Sequence, residues 1–598
     1  MKTCIEYRYR VRIFGETGRR AVELPSLPMG VYGIDGRTVF PDGKVILFNQ
    51  VKDFASKTIS VGSFEGKQTV LIPPGVNSDC VVEMTWREPS ASKWRSLPAR
   101  MENSHIFDLA GAFPTMESVV ALPDKSYALA HLALPTSTVK PEKSVEGGYR
   151  VYTFRNVPAK EEVPYALEVT REFPRFVVFD IPVDLWNASK AGPANFWKVA
   201  GSQYLKNLFI GMANKGQTYR ALERELWEGI SGSPTEQAAA LMVKLDGRIK
   251  NLSTATVAEL TAMSRAGWDG VGNVSDLEAT AQRGATTGVG MTVLYFNLLL
   301  DRGIPAKVIL VADRNERIFE FNLPDVGQFR SSIVQIEEPG KPPLRVQPSL
   351  RYAPPGMVHP SYQGAPGLLL DPNGWGVSTV QVSAQAGGLN VRRFAVEVFP
   401  GEDSDRFTLA ATFTGYPEWA ERESYLPLES SGQVKRLKER LEGGLPNATL
   451  TKVEVRGAQD SKVPFSWRVE GRLEREDRRL RKVRPFPGVP TTLAIPESLP
   501  AKRTDPILVP YLRVQESTST VHIPMGWKCL GSEDFERTNR FGSVSWSTKP
   551  GSNGTLVVRL KVEVRAFFEP SSTYEEFKDF LGWVKEASGR VLAFEETL

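Results

Sequence analysis

The hydrophobic period of this chain changes twice along its length, and that change restricts the fold more than any single motif does. At Tyr7–Phe14, Lys44–Val51, Gln68–Ile72, Cys80–Trp86, Tyr149–Phe154 and Arg175–Val183, apolar and polar residues alternate. Alternation at period two places successive side chains on opposite faces of half-buried strands. Turn clusters such as Pro41-Asp42-Gly43 and Pro73-Pro74-Gly75 separate these segments, so residues 1–185 are expected to form an antiparallel β-sandwich. From about residue 193 to 302 the period becomes helical. Ser233-Pro234-Thr235-Glu236 predicts a helix start, with a capping serine, proline at the first position and a glutamate closing the capping box. Ala238, Leu241, Leu245 and Ile249 then share one face, and a second helix carries Met291, Leu294, Tyr295 and Leu298 before stopping at Gly303. Ala306–Ala312 and Ser331–Ile336 read as buried strands. Beyond about residue 386 the strand period returns at Phe394–Phe399, Phe407–Phe413, Leu450–Val455, Phe465–Val469 and Thr555–Ala566. One helix through Val434, Leu437 and Leu441 is expected to interrupt it, and a last helix from Thr573 to Ala587 closes the chain. A chain of 598 residues exceeds what one core can organise. The pattern therefore predicts a multidomain α+β protein, with β structure at 1–185, α+β structure at 190–385, and β structure with a terminal helix at 386–598.

Several functional classes are excluded or left without support. The net charge of +5 balances 74 basic against 69 acidic residues, too small an excess to imply nucleic-acid binding. The basic run Arg472–Arg484 is interleaved with Glu474, Glu476 and Asp477, which reads as an exposed strand and turn rather than an anion-binding patch. Met291–Leu300, the longest apolar stretch, is too short to cross a bilayer, so no transmembrane segment is expected. The N-terminal residues run straight into a strand pattern with no apolar export segment. Cys4, Cys80 and Cys529 form no C-x-x-C pair, and His105, His131, His359 and His522 lie far apart, so no metal site and no cofactor is implied. Gly284 to Gly290 lacks the Gly-Lys-Ser/Thr ending of a phosphate loop.

Three segments together resemble a bacterial architecture: a DUF3857-type domain, a transglutaminase-like domain and a C-terminal β domain. The first match rests on Thr38-Val39-Phe40-Pro41-Asp42-Gly43-Lys44-Val45, Leu71-Ile72-Pro73-Pro74-Gly75-Val76 and the strand Val81–Trp86. The second rests on Leu298-Leu299-Leu300-Asp301-Arg302-Gly303-Ile304-Pro305-Ala306 with Val308–Val311, then Phe329–Ile336, Arg351-Tyr352-Ala353-Pro354-Pro355-Gly356-Met357 and Tyr362-Gln363-Gly364. The resemblance implies a papain/transglutaminase-like α+β core and a Cys–His–Asp triad, in which a thiolate attacks an amide carbonyl beside an imidazole oriented by a carboxylate. Carried onto this chain, the cysteine slot at the head of the helix falls on Gly288. The histidine slot falls on Ser331, with Ser332 beside it, and the aspartate slot falls on Gln347. There is no cysteine between Cys80 and Cys529 and no histidine between His131 and His359, so a shift of register supplies neither group. His359 follows the third slot in a proline-rich loop and is read as a packing residue.

Two functional expectations follow. The first is a non-catalytic protein, a pseudo-transglutaminase, whose cleft binds a ligand or serves as a scaffold. Gly288, Ser331, Ser332 and Gln347 line the groove in this reading, Trp268 forms an aromatic wall, and the glycine bares the N–H groups of the helix N-terminus to a peptide or glycan. The second is an amide- or peptide-bond hydrolase or transferase with replaced machinery, drawing a hydroxyl from Thr286, Thr287 or Ser331 and a base from Lys307. Relatives of this architecture are usually exported, so the resemblance implies a periplasmic or secreted protein.

Overall fold

The structure, a computed structural model, describes residues 4–596 apart from short stretches, of which the longer are 90–103, 167–174, 256–273 and 475–481. The chain forms two compact units. One comprises Met1–Glu162, Glu172–Asn187 and Asp325–Gly327, and the other Val163–Arg171, Ala188–Pro324 and Gln328–Leu598.

The first unit is built from small antiparallel sheets. One orders its strands Cys4–Ile13, Cys80–Pro89, Tyr32–Val39 and Val45–Phe48. Its register sets Ile13 opposite Cys80 and Tyr7 opposite Trp86, so the alternating apolar residues of both strands share a face. Ile13, Phe48, Cys80, Val82 and Met84 are buried there, each under 4% exposed, whereas Phe14 is 79% exposed and lies past the strand. Two of the turn motifs meet: the Thr38 hydroxyl donates to the Pro74 carbonyl at 2.7 Å, and Gly75 takes a φ of +74° that a side chain would resist. A second core gathers Leu109, Val120, Leu122, Phe154 and Phe176. The strand expected through Val183 ends at Asp180, and Val183 instead opens a helix, Val183–Lys190.

The second unit contains the expected middle and C-terminal regions except Asp325–Gly327. Helix Gly288–Asp301 is apolar on every side and buried along most of its length, as a helix must be when it is enclosed by other elements. It ends where Gly303, at φ +75°, reverses the chain and Ile304 N returns a hydrogen bond to Leu299 O at 3.0 Å. Strand Ala306–Val311 follows directly, in a five-stranded antiparallel sheet ordered Leu344–Val346, Ser331–Ile336, Ala306–Val311, Pro366–Asp371 and Gly376–Gln381. Helix Pro193–Tyr204 lies against the edge strand, where Gly201 admits Val377 and Leu370. Helix Pro234–Arg248 starts at Ser233 with both arms of the capping box formed.

The unit also holds an eight-stranded sheet, ordered Ala448–Arg456, Ser466–Glu474, Ser404–Thr414, Val391–Phe399, Arg513–His522, Thr555–Val564, Gly542–Pro550 and Phe535–Asn539. Its neighbours are antiparallel except at one seam, where Val391–Phe399 runs parallel to Arg513–His522. Helices Ser430–Gly444 and Tyr574–Gly589 bury Leu437, Leu441, Phe577, Phe580 and Val584 in the same core. Two helices interrupt the strands rather than one, since Tyr416–Tyr425 is also helical. Val434, expected inward, is 37% exposed. Only part of the Arg472–Arg484 run falls within the described residues. The architecture is mixed α+β, and no helix among the described residues is long and apolar enough to cross a membrane.

Candidate functional site

The head of helix Gly288–Asp301 is where the sequence places its first site residue. Thr287 caps the helix, its hydroxyl accepting from Gly290 N at 3.2 Å. Gly288 N donates to Ser253 Oγ at 3.1 Å. Ser253 is delivered by a strap: Lys250–Asn251 pairs in parallel with Ala285–Thr286, Asn251 Oδ1 accepts from Ser253 N at 3.1 Å, and Asn251 Nδ2 donates to Ser349 O at 2.8 Å. The helix N-terminus is thus not bared by its glycine, because these first-turn N–H groups already have hydroxyl partners. Nor is the glycine's missing side chain an empty space. A Cβ at Gly288 would stand 3.0 Å from Ser349 Cβ and 3.2 Å from Ser253 Oγ, closer than side chains normally approach, so a thiol there would have to displace both serines slightly. A Cβ at Gly290 would lie 1.9 Å from Thr286 Oγ1, and Thr286 itself is fully buried, which removes it as an accessible nucleophile.

Ser331 and Gln347 are brought together. Gln347 is 3% exposed. Its Nε2 donates to Ser331 Oγ at 3.2 Å and to Ser349 Oγ at 3.3 Å, while its Oε1 accepts from His359 N at 2.9 Å. These bonds use both amide protons, and the one from His359 N fixes which end is oxygen. An oxygen-only carboxylate at this position would have no proton to give the two hydroxyls. Each serine hydroxyl accepts from the amide and keeps its own proton to donate. Ser332 points to the opposite face of its strand and is 8% exposed, so it does not join Ser331. Trp268 lies outside the described residues. Lys307 is held by two carboxylates, Glu337 at 2.9 Å and Asp371 at 3.2 Å. The Glu337 hydrogen bond leads the causes that raise its pKa, and Asp371 adds to it, so the ammonium stays charged and cannot serve as a base.

Around this cluster stand other groups, of which sequence reasoning weighed only His359, as a packing residue. Ser349 and Ser253 carried no signal, being common residues in a loop and a turn. The ring of His359 is caged by Tyr362, Tyr416 and Trp419, whose centroids lie 5.8, 5.4 and 5.6 Å from its own. Its Nδ1 lies 2.8 Å from Ser361 Oγ and 3.2 Å from Ser361 N, and its Nε2 faces the Tyr416 hydroxyl at 3.4 Å. Burial lowers its pKa, with Asp313 opposing and Arg314 adding to the effect. Asp246, 7% exposed on helix Pro234–Arg248, accepts from Tyr352 N at 2.8 Å through Oδ2, and its Oδ1 has no hydrogen-bond partner among the described residues. Burial pushes its carboxyl up to about 7, against the opposing pull of the Tyr352 N–H and of Arg351. Tyr352 holds a φ of +60°, strained for an aromatic residue, in order to present that N–H.

The cluster is therefore a chain of neutral hydrogen-bonding groups, Ser331–Gln347–Ser349, set against the head of the helix, and among the described residues no titratable side chain bonds to it. Such an arrangement can donate to a carbonyl or hydroxyl oxygen; it does not supply a nucleophile with a base. Residues 483–594 match a family described as a domain of unknown function with solved structure, DUF3858. The fold of the chain is similar over its length to that of a Parabacteroides distasonis protein provisionally called a protease, at 14% identity and a TM-score of 0.53, covering 99% of this chain and 96% of that one. No curated protein matches it.

Proposed function

We propose that residues 190–385 are a transglutaminase-like core in which Gly288, Ser331 and Gln347 have taken the places of the triad, and that the chain is a non-catalytic binding or structural protein of the bacterial cell envelope. In this reading residues 1–185 are the DUF3857-type sandwich and residues 386–598 the C-terminal β domain. The observation that carries the proposal is the neutral amide of Gln347 bonded to Ser331 Oγ and Ser349 Oγ. Acyl transfer needs a deprotonated nucleophile beside a group that accepts its proton, and among the described residues the partner offered to each hydroxyl is a donor. The two serines are suited to the acceptor oxygens of a peptide or glycan. Assignment to the periplasm or exterior rests on the resemblance to exported proteins of this architecture.

A second reading, an amide or peptide-bond hydrolase or transferase with replaced residues, draws support from the fold shared with a protein provisionally called a protease. One experiment separates the two. The protein, Thr287→Ala, Ser331→Ala and Lys307→Ala are each incubated with chromogenic peptide anilides and with a glutamine donor plus an amine. The proposal expects no release above the buffer rate from any of them. Saturable turnover by the parent protein that Ser331→Ala abolishes would overturn it.

A further inference from the structure

Among the fastenings of the segment that carries Ser349 into the Gln347 cluster, one ends on a titratable group. Ser349 O accepts from Asn251 Nδ2, Leu350 N donates to Gln347 O at 3.0 Å, and Arg351 O accepts from Trp419 Nε1 at 3.0 Å. None of these partners titrates near neutrality. The next bond along the segment runs from Tyr352 N to Asp246 Oδ2 at 2.8 Å. It is made under strain, because Tyr352 holds φ +60° to aim its N–H at the carboxyl.

The surroundings of Asp246 suit a neutral group. It is buried, and its Oδ1 has no hydrogen-bond partner among the described residues. Arg351 is the charged side chain whose field reaches it. Its guanidinium, however, donates to the Tyr352 hydroxyl at 2.9 Å and lies over the Tyr352 ring at 4.7 Å. On the helix that carries Asp246, Arg248 is paired with Glu225 at 2.8 Å and Lys244 is bonded to the Glu228 carbonyl. With a proton on Oδ1, Oδ2 still accepts from Tyr352 N and no charge is buried. Without that proton, a carboxylate lies in low dielectric with one N–H to answer it. Such a charge favours local opening that lets water reach it.

We infer that Asp246 is a proton-operated latch on the Gln347 cluster: protonated, it holds Ser349–Tyr352 against helix Pro234–Arg248, and ionised, it lets the segment open and takes Ser349 Oγ away from Gln347. The closed form keeps the proton up to about pH 7, whereas the opened, hydrated carboxyl gives it up at the usual 3.8. Rising pH therefore favours opening, by about tenfold between pH 6 and 8.5, and the gain levels off above about pH 8 once the closed form is ionised as well. His359, under Asp313 and Arg314, has its pKa lowered by burial; its protonation loosens the structure as pH falls, the opposite sense, so it cannot imitate this response. What the latch regulates rests on reading the cluster as a binding site; whether it opens does not. An acceptor oxygen bound at the cluster is held more weakly on the alkaline side.

Hydrogen–deuterium exchange of the full chain tests it, read by mass spectrometry at the Leu350 and Tyr352 amides from pH 6 to 8.5 and divided by the intrinsic exchange rate at each pH. Protection of both amides is expected to fall about tenfold and to reach a floor above about pH 8, while amides in the middle of helix Gly288–Asp301 keep theirs. In Asp246→Asn, which retains an acceptor for Tyr352 N and cannot ionise, both amides are expected to show one protection at every pH. The inference is overturned by no fall in the parent, by an equal fall in Asp246→Asn, by a fall shared with the helix, or by a fall at Tyr352 without one at Leu350. The parent series decides alone if the variant does not fold. A latch that opens in a protein that binds neither peptide nor glycan would support the inference and count against the binding role of the cluster.

Discussion

Asp246 and His359 lie in the same unit and respond to pH in opposite senses. The Asp246 carboxyl is raised to about 7 from 3.8, so the folded chain binds a proton that the unfolded chain has lost. Its contribution is present at about pH 4 and is lost as pH rises through 7. His359 is lowered from 6.5 by burial, so the folded chain resists a proton that the unfolded chain takes up, and stability falls as pH drops below about 6.5. Asp246→Asn keeps an oxygen for Tyr352 N and removes the titration. In urea unfolding it is expected to be more stable than the parent at pH 8, by on the order of 2 kcal/mol, with the advantage gone at pH 4. A constant difference at both values would show that Asp246 is not charged at the cost proposed. The sequence disclosed neither group's environment. Asp246 sits on a helix whose apolar face was legible, but only the loop carrying Tyr352, distant in sequence, buries it. Gln347 was found as a slot, yet its role as a double donor came from Ser349, which no motif marks.

At the scale of elements, the sequence was most informative where periodicity and caps agree. Ser233 and Glu236 form the predicted capping box, Ser331–Ile336 is a strand with the expected bounds, and Gly303 ends the apolar helix. Tyr416–Tyr425 was hidden because its sequence, YPEWAERESY, is largely polar, and only Pro417, Trp419, Arg422 and Tyr425 are buried. What makes it a helix is tertiary: Arg422 lies 4% exposed and donates to the carbonyls of Asp460 at 2.8 Å and Val463 at 3.0 Å. The first turn of Gly288–Asp301 was recognised as glycine-rich, but not why. Gly290 is required because Thr286 Oγ1 fills the volume a Cβ would take. Gly290→Ala, favourable by helix propensity, is therefore expected to lower stability by about 1–3 kcal/mol through overpacking, read as a fall in the urea midpoint. If it stabilises instead, the close approach is not real.

Across the whole molecule, the two units carry separate cores. Phe154 and Phe176 anchor one in the first unit, and Trp546, Phe465 and Phe577 lie in another in the second. Unfolding by calorimetry is expected to show more than one transition. Phe154→Ala, at about 3–5 kcal/mol, is expected to shift one and leave the other in place; a single transition that moves as a whole would mean the units unfold together. The parallel seam between Val391–Phe399 and Arg513–His522 bears on how the chain reaches this state. A newly made Val391–Phe399 can pair at once with Ser404–Thr414, but its other side waits until the ribosome has released the far half of the sheet. During that wait a β edge meant for the interior is open to other chains, and loop closure over so long a span is slow. Yield of folded protein should thus be set less by final stability than by how long that edge stays uncovered.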